Sequence, residues 1–230
     1  VGLPELPKVK GELDENENKD PKVFRKFLMQ KVFLNPIIWV LAITDLFVYI
    51  VRFAILDWGP KLLTDMGLDQ SIAGWTVGIF EVAGCAGMLA AGVISDKLFG
   101  SKSQRVCAIE MALVAVCLIA LHFVQDINSP VLFLVILAIA GFLLYGPQAL
   151  LGVIASNQAT KKAASSAVGL IGLMSYLSTI VTGYGFVALA DRFGGWHWIF
   201  IVMSGIAVVG TILIATVWNL KDPSISEKKI

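Results

Sequence analysis

Three polar side chains with helical spacing lie inside an apolar stretch of this chain and are suited to binding an anion. Asp45, Tyr49 and Arg52 are separated by four and three residues, so they share one face of a helix. The surrounding apolar run, 36–58, is long enough to cross a bilayer, for which about 20 helical residues suffice. An arginine at that depth costs several kcal/mol and usually faces a water-filled cavity. The pattern therefore predicts a polar cavity wall in which the Arg52 guanidinium binds an anion.

The composition indicates an all-α membrane protein. The chain is 57% hydrophobic and 15% charged, and its mean hydropathy is +0.80, whereas soluble domains carry about 25% charged residues. A net charge of +1 gives no indication of nucleic-acid binding. The cysteines Cys85, Cys107 and Cys117 form no CxxC pair, which favours reduced thiols. No metal-ligand spacing, nucleophile elbow or P-loop is present in the sequence, so we predict neither an enzyme nor a cofactor.

Six apolar segments are the elements that must position these side chains. We predict transmembrane helices at 36–57, 71–95, 106–125, 130–155, 163–190 and 197–218. The second holds Glu81 at mid-depth, and Gly146-Pro147 should kink the fourth. The second and fifth are glycine-rich and should pack closely against neighbours.

The rest of the chain divides into a linker and a tail. Residues 1–35 are predicted to be a cytoplasmic linker, polar at first and then an amphipathic surface helix over 22–33, with an irregular basic loop as the alternative. Residues 36–220 form the six-helix unit, and 221–230 a cytoplasmic tail. All but three of the 18 Lys and Arg residues fall on one side of these spans; Lys61 and Arg192 lie opposite and Arg52 inside. Basic loops stay cytoplasmic, so both ends are expected in the cytoplasm.

Four motifs resemble a known family. Tyr49-Ile50-Val51-Arg52-Phe53-Ala54-Ile55-Leu56-Asp57-Trp58 is similar to the seventh helix of the organophosphate:phosphate antiporters of the major facilitator superfamily, which include the glycerol-3-phosphate and hexose-6-phosphate transporters. The run from Gly92 through Asp96-Lys97 to Arg105 resembles the superfamily's G-x-x-x-D-K…R loop. Tyr145-Gly146-Pro147-Gln148 and Lys161-Lys162-Ala163-Ala164 are similar to helix ten and the loop after it, and Gly2-Leu3-Pro4 resembles the end of the central loop.

The resemblance implies that the chain is the C-terminal half, helices seven to twelve, of a twelve-helix transporter. It implies exchange of a phosphate monoester for inorganic phosphate across the inner membrane, with an N-terminal six-helix half of the same protein as partner. In that family one arginine from each half clamps the phosphate; Arg52 matches the second and Tyr49 a tyrosine beside it. Asp45 departs from the amide of the glycerol-phosphate members, and an acid there either weakens anion binding or carries a proton.

Each candidate site residue has a second interpretation. Arg52 is alternatively a structural cation neutralised by Asp45, and Glu81 is expected to pair with a cation, structurally or beside the substrate. Asp57 near the outer mouth is predicted either to gate the cavity or to form an interfacial salt bridge or helix cap. Asp96, Lys97 and Arg105 are expected to form a conformational latch, or else to be topology charges.

The substrate and the class of function stay open at this level. The hexose-phosphate members carry an acid and a lysine where this chain has Val168 and Ile171, which favours glycerol 3-phosphate. A membrane sensor for sugar phosphate in the same branch keeps the arginine and is the alternative function. Proton-coupled uptake of another organic anion is the second alternative.

Overall fold

The protein is a bundle of helices. The structure is a computed structural model that describes residues 20–65, 67–127, 129–193 and 198–220. Within those ranges every regular element is helical, which confirms the predicted all-α class. The elements are α1 (Pro21–Leu28), a π-helical turn (Met29–Phe33), α2 (Pro36–Asp65), α3 (Gln70–Phe99), α4 (Ser103–Ile127), α5 (Pro130–Gln158), α6 (Ala164–Ile180), a π-helical turn (Val181–Gly185), α7 (Phe186–Phe193) and α8 (Ile199–Ala215). The predictions for residues 1–19 and for the tail 221–230 lie outside the described residues.

Each predicted span corresponds to a helix or to a pair of helices joined by a π-helical turn. Five of these segments are long and apolar enough to cross a membrane. The sixth, α8, is apolar but has 17 residues, about 25 Å of helix. The fifth predicted span is divided by the turn Val181–Gly185, which separates α6 from α7. The sequence is therefore that of a multi-pass membrane protein.

Two short polar caps begin the described chain. The Asp20 carboxylate accepts a hydrogen bond from the Lys22 backbone N–H, and Pro21 occupies the first position of α1. The Asn35 Oδ1 accepts from Ile37 N at 3.0 Å just before α2. A helix thus lies within the predicted 22–33 segment, while its position at the membrane surface remains a prediction.

α2 extends eight residues past its predicted end at 57. Pro60 lies inside it and cannot donate to the Leu56 carbonyl, the position at which a helix usually breaks. Leu62 and Leu63 are buried beyond that point. Their burial against the bundle stabilises the last turns, so tertiary packing prevails over the local preference for an end at Gly59-Pro60.

Glycines allow α3 and α5 to approach closely. A Cβ added at Gly87 would collide with the Phe142 carbonyl, and one at Gly141 would meet the Phe80 carbonyl at 2.7 Å. α3 therefore packs through glycine as predicted. In the fifth span, Cβ atoms added at Gly169 or Gly172 would meet nothing within 4 Å, so the expected close neighbour is not among the described helices.

α2 and α4 are the most buried helices of the bundle. α2 packs against α3, α5, α6 and α8, while α4 packs against α3, α5 and α8. Polar side chains of α2 can therefore contact several different helices.

Candidate functional site

The central feature of the site is an ion pair between α2 and α3. Arg52 Nη2 lies 3.0 Å from Glu81 Oε1, and the two side chains are 18% and 37% exposed. The cation expected for Glu81 is thus supplied within this half, and Arg52 pairs with Glu81 rather than with Asp45. The described helices leave part of both side chains uncovered.

A tyrosine of α5 holds the guanidinium from its other edge. Arg52 Nε donates to the Tyr145 hydroxyl at 3.0 Å, and the guanidinium carbon lies 4.8 Å from the centre of the Tyr145 ring. The ring packs directly over Gly84 and edge-on against Phe80. The close α3–α5 contact therefore fixes the position of the hydroxyl. Sequence reasoning missed this role, and the only signal was a tyrosine in an otherwise apolar span before Gly146-Pro147.

Aromatic rings from α2 complete the surroundings of Arg52. The guanidinium carbon is 5.6 Å from the Tyr49 ring and 5.8 Å from the Phe53 ring, both within the range of cation–π attraction. Gln148 lies beside Tyr49, and its buried Oε1 has no hydrogen-bond partner. We call Arg52, Tyr49, Glu81 and Tyr145 the arginine site.

The arginine site has the donors that an oxyanion requires. A guanidinium carries five N–H groups in a planar fork; here one is directed at Glu81 and one at Tyr145. The remaining donors can bind two oxygens of a phosphate or carboxylate by charge-assisted hydrogen bonds. The arrangement is therefore suited to binding an anion by exchange with the Glu81 carboxylate.

Asp45 lies apart from the arginine site. It is one heptad before Arg52, about 10 Å along the helix axis, and its side chain is 2% exposed. The Ser175 hydroxyl of α6 is in hydrogen-bond contact with Asp45 Oδ2. Asp45 and Arg52 thus share a face of α2 but have different partners: Asp45 contacts α6, whereas Arg52 contacts α3 and α5.

The remaining predicted residues lie towards the helix ends. Asp57 is exposed on α2. Asp96 accepts from Ser101 Oγ at 2.9 Å, and Lys97 is exposed in the last turn of α3.

Arg105 contacts the segment after α8 instead of Asp96. Its Nη2 donates to Asn219 Oδ1 at 3.0 Å, its Nε donates to the Trp218 carbonyl at 3.4 Å, and its guanidinium lies 5.4 Å from the Trp218 ring centre. The contact joins the start of α4 to the end of the described chain, so Asp96 and Arg105 bind separate partners.

Glu110 is a buried acid that sequence reasoning overlooked. It lies in α4, is 5% exposed, and packs against Gly146 of α5. Its Oε2 has no hydrogen-bond partner. The available signal was a lone carboxylate near the start of the predicted third span, 106–125.

Comparison with known proteins identifies the family. The profile of the Major Facilitator Superfamily matches residues 3–183. The chain belongs to the Major Facilitator Superfamily. This confirms the predicted membership and the fold, and members of this superfamily are transporters rather than enzymes.

Three relatives in the superfamily match most of the chain. It is 30% identical to the glycerol-3-phosphate transporter of Bacillus subtilis over 95% of this chain and 50% of the relative. It is 33% identical to the membrane sensor protein UhpC of Escherichia coli over 86% of this chain and 45% of the relative. A probable hexose phosphate transport protein of Chlamydia trachomatis is 29% identical over 98% of this chain and 52% of the relative. The chain therefore spans about half the length of the curated relatives it matches.

Proposed function

We propose that the chain is the second six-helix half of a secondary transporter that exchanges a phosphate monoester for inorganic phosphate by alternating access. The observation that carries the proposal is the Arg52–Glu81 pair, a guanidinium at bilayer depth whose carboxylate partner is partly exposed. The relatives named for glycerol-3-phosphate and hexose phosphate transport support the same substrate class.

In the proposed cycle the phosphate group takes the place of Glu81. The anion's oxygens accept from the guanidinium fork while Tyr145 continues to hold Nε. Hydrogen bonds to charged groups contribute about 1.5–3 kcal/mol each. Phosphate and the Glu81 carboxylate therefore bind the guanidinium with similar free energy per hydrogen bond. Glu81 neutralises Arg52 whenever the anion leaves. We propose that the matching arginine of the first half clamps the other side of the phosphate and that the two halves rock around it.

The substrate proposed within this class is glycerol 3-phosphate. Val168 and Ile171 are apolar where the hexose-phosphate branch carries charges. A three-carbon ester needs fewer polar partners than a sugar does. We further propose an inner-membrane location with both ends of this segment in the cytoplasm, on the strength of the loop charges.

A sensor for sugar phosphate is the second candidate function. It is favoured by the 33% identity to the membrane sensor protein UhpC. A sensor would use the same arginine site to bind the ester but would not move it across the bilayer. A flux measurement therefore distinguishes the two functions, whereas a binding measurement does not.

The test is counterflow in vesicles that contain the full-length protein. Vesicles loaded with inorganic phosphate are given labelled glycerol 3-phosphate, and wild type is compared with Arg52→Ala and with the control Lys161→Ala, an exposed lysine in the α5–α6 loop. We expect saturable uptake that phosphate drives, at least about 100-fold less in Arg52→Ala, and an unchanged rate in the control. Ester binding without uptake in the wild type would favour the sensor. Full exchange by Arg52→Ala would overturn the role of the arginine.

A further inference from the structure

A second group of polar residues lies inside the bundle, away from the arginine site. Asp45 on α2 and Glu110 on α4 are each at least nine-tenths buried. Cys107 is fully buried one turn before Glu110 on α4. Ser175 on α6 contacts Asp45. We call Asp45, Cys107, Glu110 and Ser175 the buried carboxyl cluster.

Each carboxyl in this cluster has an oxygen without a partner. Asp45 Oδ1 and Glu110 Oε2 are buried and accept no hydrogen bond in the described structure. A carboxylate removed from water without a partner costs several kcal/mol, and such a group normally takes up a proton instead. The same burial costs far less for a neutral acid.

No base of the described helices reaches either carboxyl. In the helices packed around the cluster the cations are Arg52, Lys61, Lys97 and Arg105. Arg52 is bound to Glu81, Lys61 lies over the Trp58 ring and Arg105 contacts the end of the chain, while Lys97 is exposed at the end of α3. His122 is about 18 Å further along α4 from Glu110.

The other ionisable groups near the cluster also bring no positive charge. α8 contributes none between Ile199 and Ala215, and α6 contributes only the exposed Tyr176. α5 contributes Tyr145, which is bound to Arg52, and α3 contributes Glu81, which is paired. On α2 itself Tyr49 is the ionisable neighbour. Nothing in the described part of the chain therefore neutralises Asp45 or Glu110 except a proton.

The Ser175 hydroxyl provides an independent observation. It carries one hydrogen but lies within hydrogen-bond contact of two acceptors, Asp45 Oδ2 and the Ile171 carbonyl, the latter at 2.9 Å. An ionised Asp45 leaves one of these two contacts without a hydrogen. A protonated Asp45 satisfies both, because the carboxyl then donates to Ser175 and Ser175 donates to Ile171.

Glu110 packs tightly against α5. A Cβ added at Gly146 would collide with Glu110 Oε2 and would lie 2.7 Å from the Ala91 Cβ of α3. The carboxyl therefore lies against the Gly146 backbone, and the residue is 5% exposed. We propose that Asp45 and Glu110 are two proton-binding groups in the interior of this half, and that each carries a proton at neutral pH while the bundle is packed as described. The proton comes from bulk water and binds one carboxylate oxygen.

Infrared spectroscopy of the full-length protein in lipid bilayers tests this directly. Protonated carboxyls have a carbonyl stretching band separate from carboxylate bands, and the band shifts when the bound proton is replaced by deuterium. We expect such bands at neutral pH in the wild type, loss of one component in Asp45→Asn, and loss of another in Glu110→Gln. The control Asp69→Asn, at an exposed acid before α3, should leave them unchanged.

The outcomes are separable from those of the transport proposal, because the measurement requires no flux. If the wild type shows no protonated-carboxyl band at neutral pH, neither group carries a proton and the proposal is wrong. If one amide variant leaves every component in place, that residue is ionised and the proposal is wrong for it. Should a variant fail to fold, the band of the wild type and its shift in deuterium still decide whether buried protonated acids are present.

Discussion

The arginine site and the buried carboxyl cluster both contain acids on apolar helices, but these acids differ in pairing and in burial. Glu81 has a base at 3.0 Å and a side chain that is 37% exposed. Glu110 has no base among the described residues and is 5% exposed. A paired, partly exposed acid can give up its partner to an incoming anion, whereas an unpaired, buried acid is stable only when neutral. Pairing and burial therefore distinguish the proposed site for anions from the proposed proton-binding groups.

The largest effect is expected from a methyl group added beside Glu110. Gly146→Ala places a Cβ against the Glu110 carboxyl, and we expect overpacking to lower the free energy of unfolding by about 1–3 kcal/mol. Thermal unfolding of the purified protein measures the loss. Gly152→Ala on the same helix is the matched control, because an added Cβ there meets nothing within 4 Å. Glu110→Ala should partly restore the stability of Gly146→Ala; no recovery would show that the carboxyl does not occupy that space.

Substituting Glu81 and Glu110 by glutamine tests whether the arginine site and the buried carboxyl cluster act separately. Glu81→Gln removes the charge that competes with phosphate for Arg52, so we expect phosphate to bind about 10-fold more tightly. Glu110→Gln should leave phosphate affinity unchanged, because Glu110 faces the interior of the bundle. Calorimetric titration of the full-length protein with inorganic phosphate measures both. Equal effects of the two substitutions would contradict the separation of the two regions.

The tyrosine beside Arg52 should have a smaller effect. Tyr145→Phe keeps the ring over the guanidinium but removes the hydroxyl that accepts from Nε. A single hydrogen bond contributes about 1 kcal/mol, so phosphate affinity should fall roughly five-fold. Tyr184→Phe is the control, because Tyr184 is exposed beyond α6. An unchanged affinity in Tyr145→Phe would mean that the hydroxyl does not orient the fork.

The smallest expected effect concerns the serine of the buried carboxyl cluster. Ser175→Ala removes the contact to Asp45, and we expect the free energy of unfolding to fall by about 1 kcal/mol. Ser178→Ala, a buried serine of the same helix that donates to the Ser175 carbonyl, should cost less because it leaves Asp45 untouched. Thermal unfolding of the two variants side by side checks the order. A larger loss in Ser178→Ala would argue against a stabilising contact at Asp45.

The fold could be predicted largely from apolar segment length, because a bilayer requires about 20 helical residues to cross it. The C-terminal end of α2 could not be predicted from the sequence, because Leu62 and Leu63 are buried only once the other helices are in place. The π-helical turn Val181–Gly185 likewise has no distinct pattern in the sequence beyond its two glycines.

The candidate site was predictable where a charge stands alone in an apolar segment. Arg52 and Glu81 were found in this way, and their side chains pair. Tyr145 was missed because its contact with Arg52 joins positions 93 residues apart and depends on the glycines that bring α3 and α5 together. Asp45 was grouped with Arg52 because helical spacing identifies a shared face, but spacing does not tell which neighbouring helix covers each part of it.

Substitution of Arg52 by lysine tests the central claim most directly. Lysine keeps the positive charge but lacks the planar fork that binds two oxygens at once. In phosphate-loaded vesicles that contain the full-length protein, we predict that Arg52→Lys lowers uptake of labelled glycerol 3-phosphate by at least about 10-fold, the equivalent of one charge-assisted hydrogen bond. Uptake at the wild-type rate by this variant would contradict a bidentate phosphate site at Arg52.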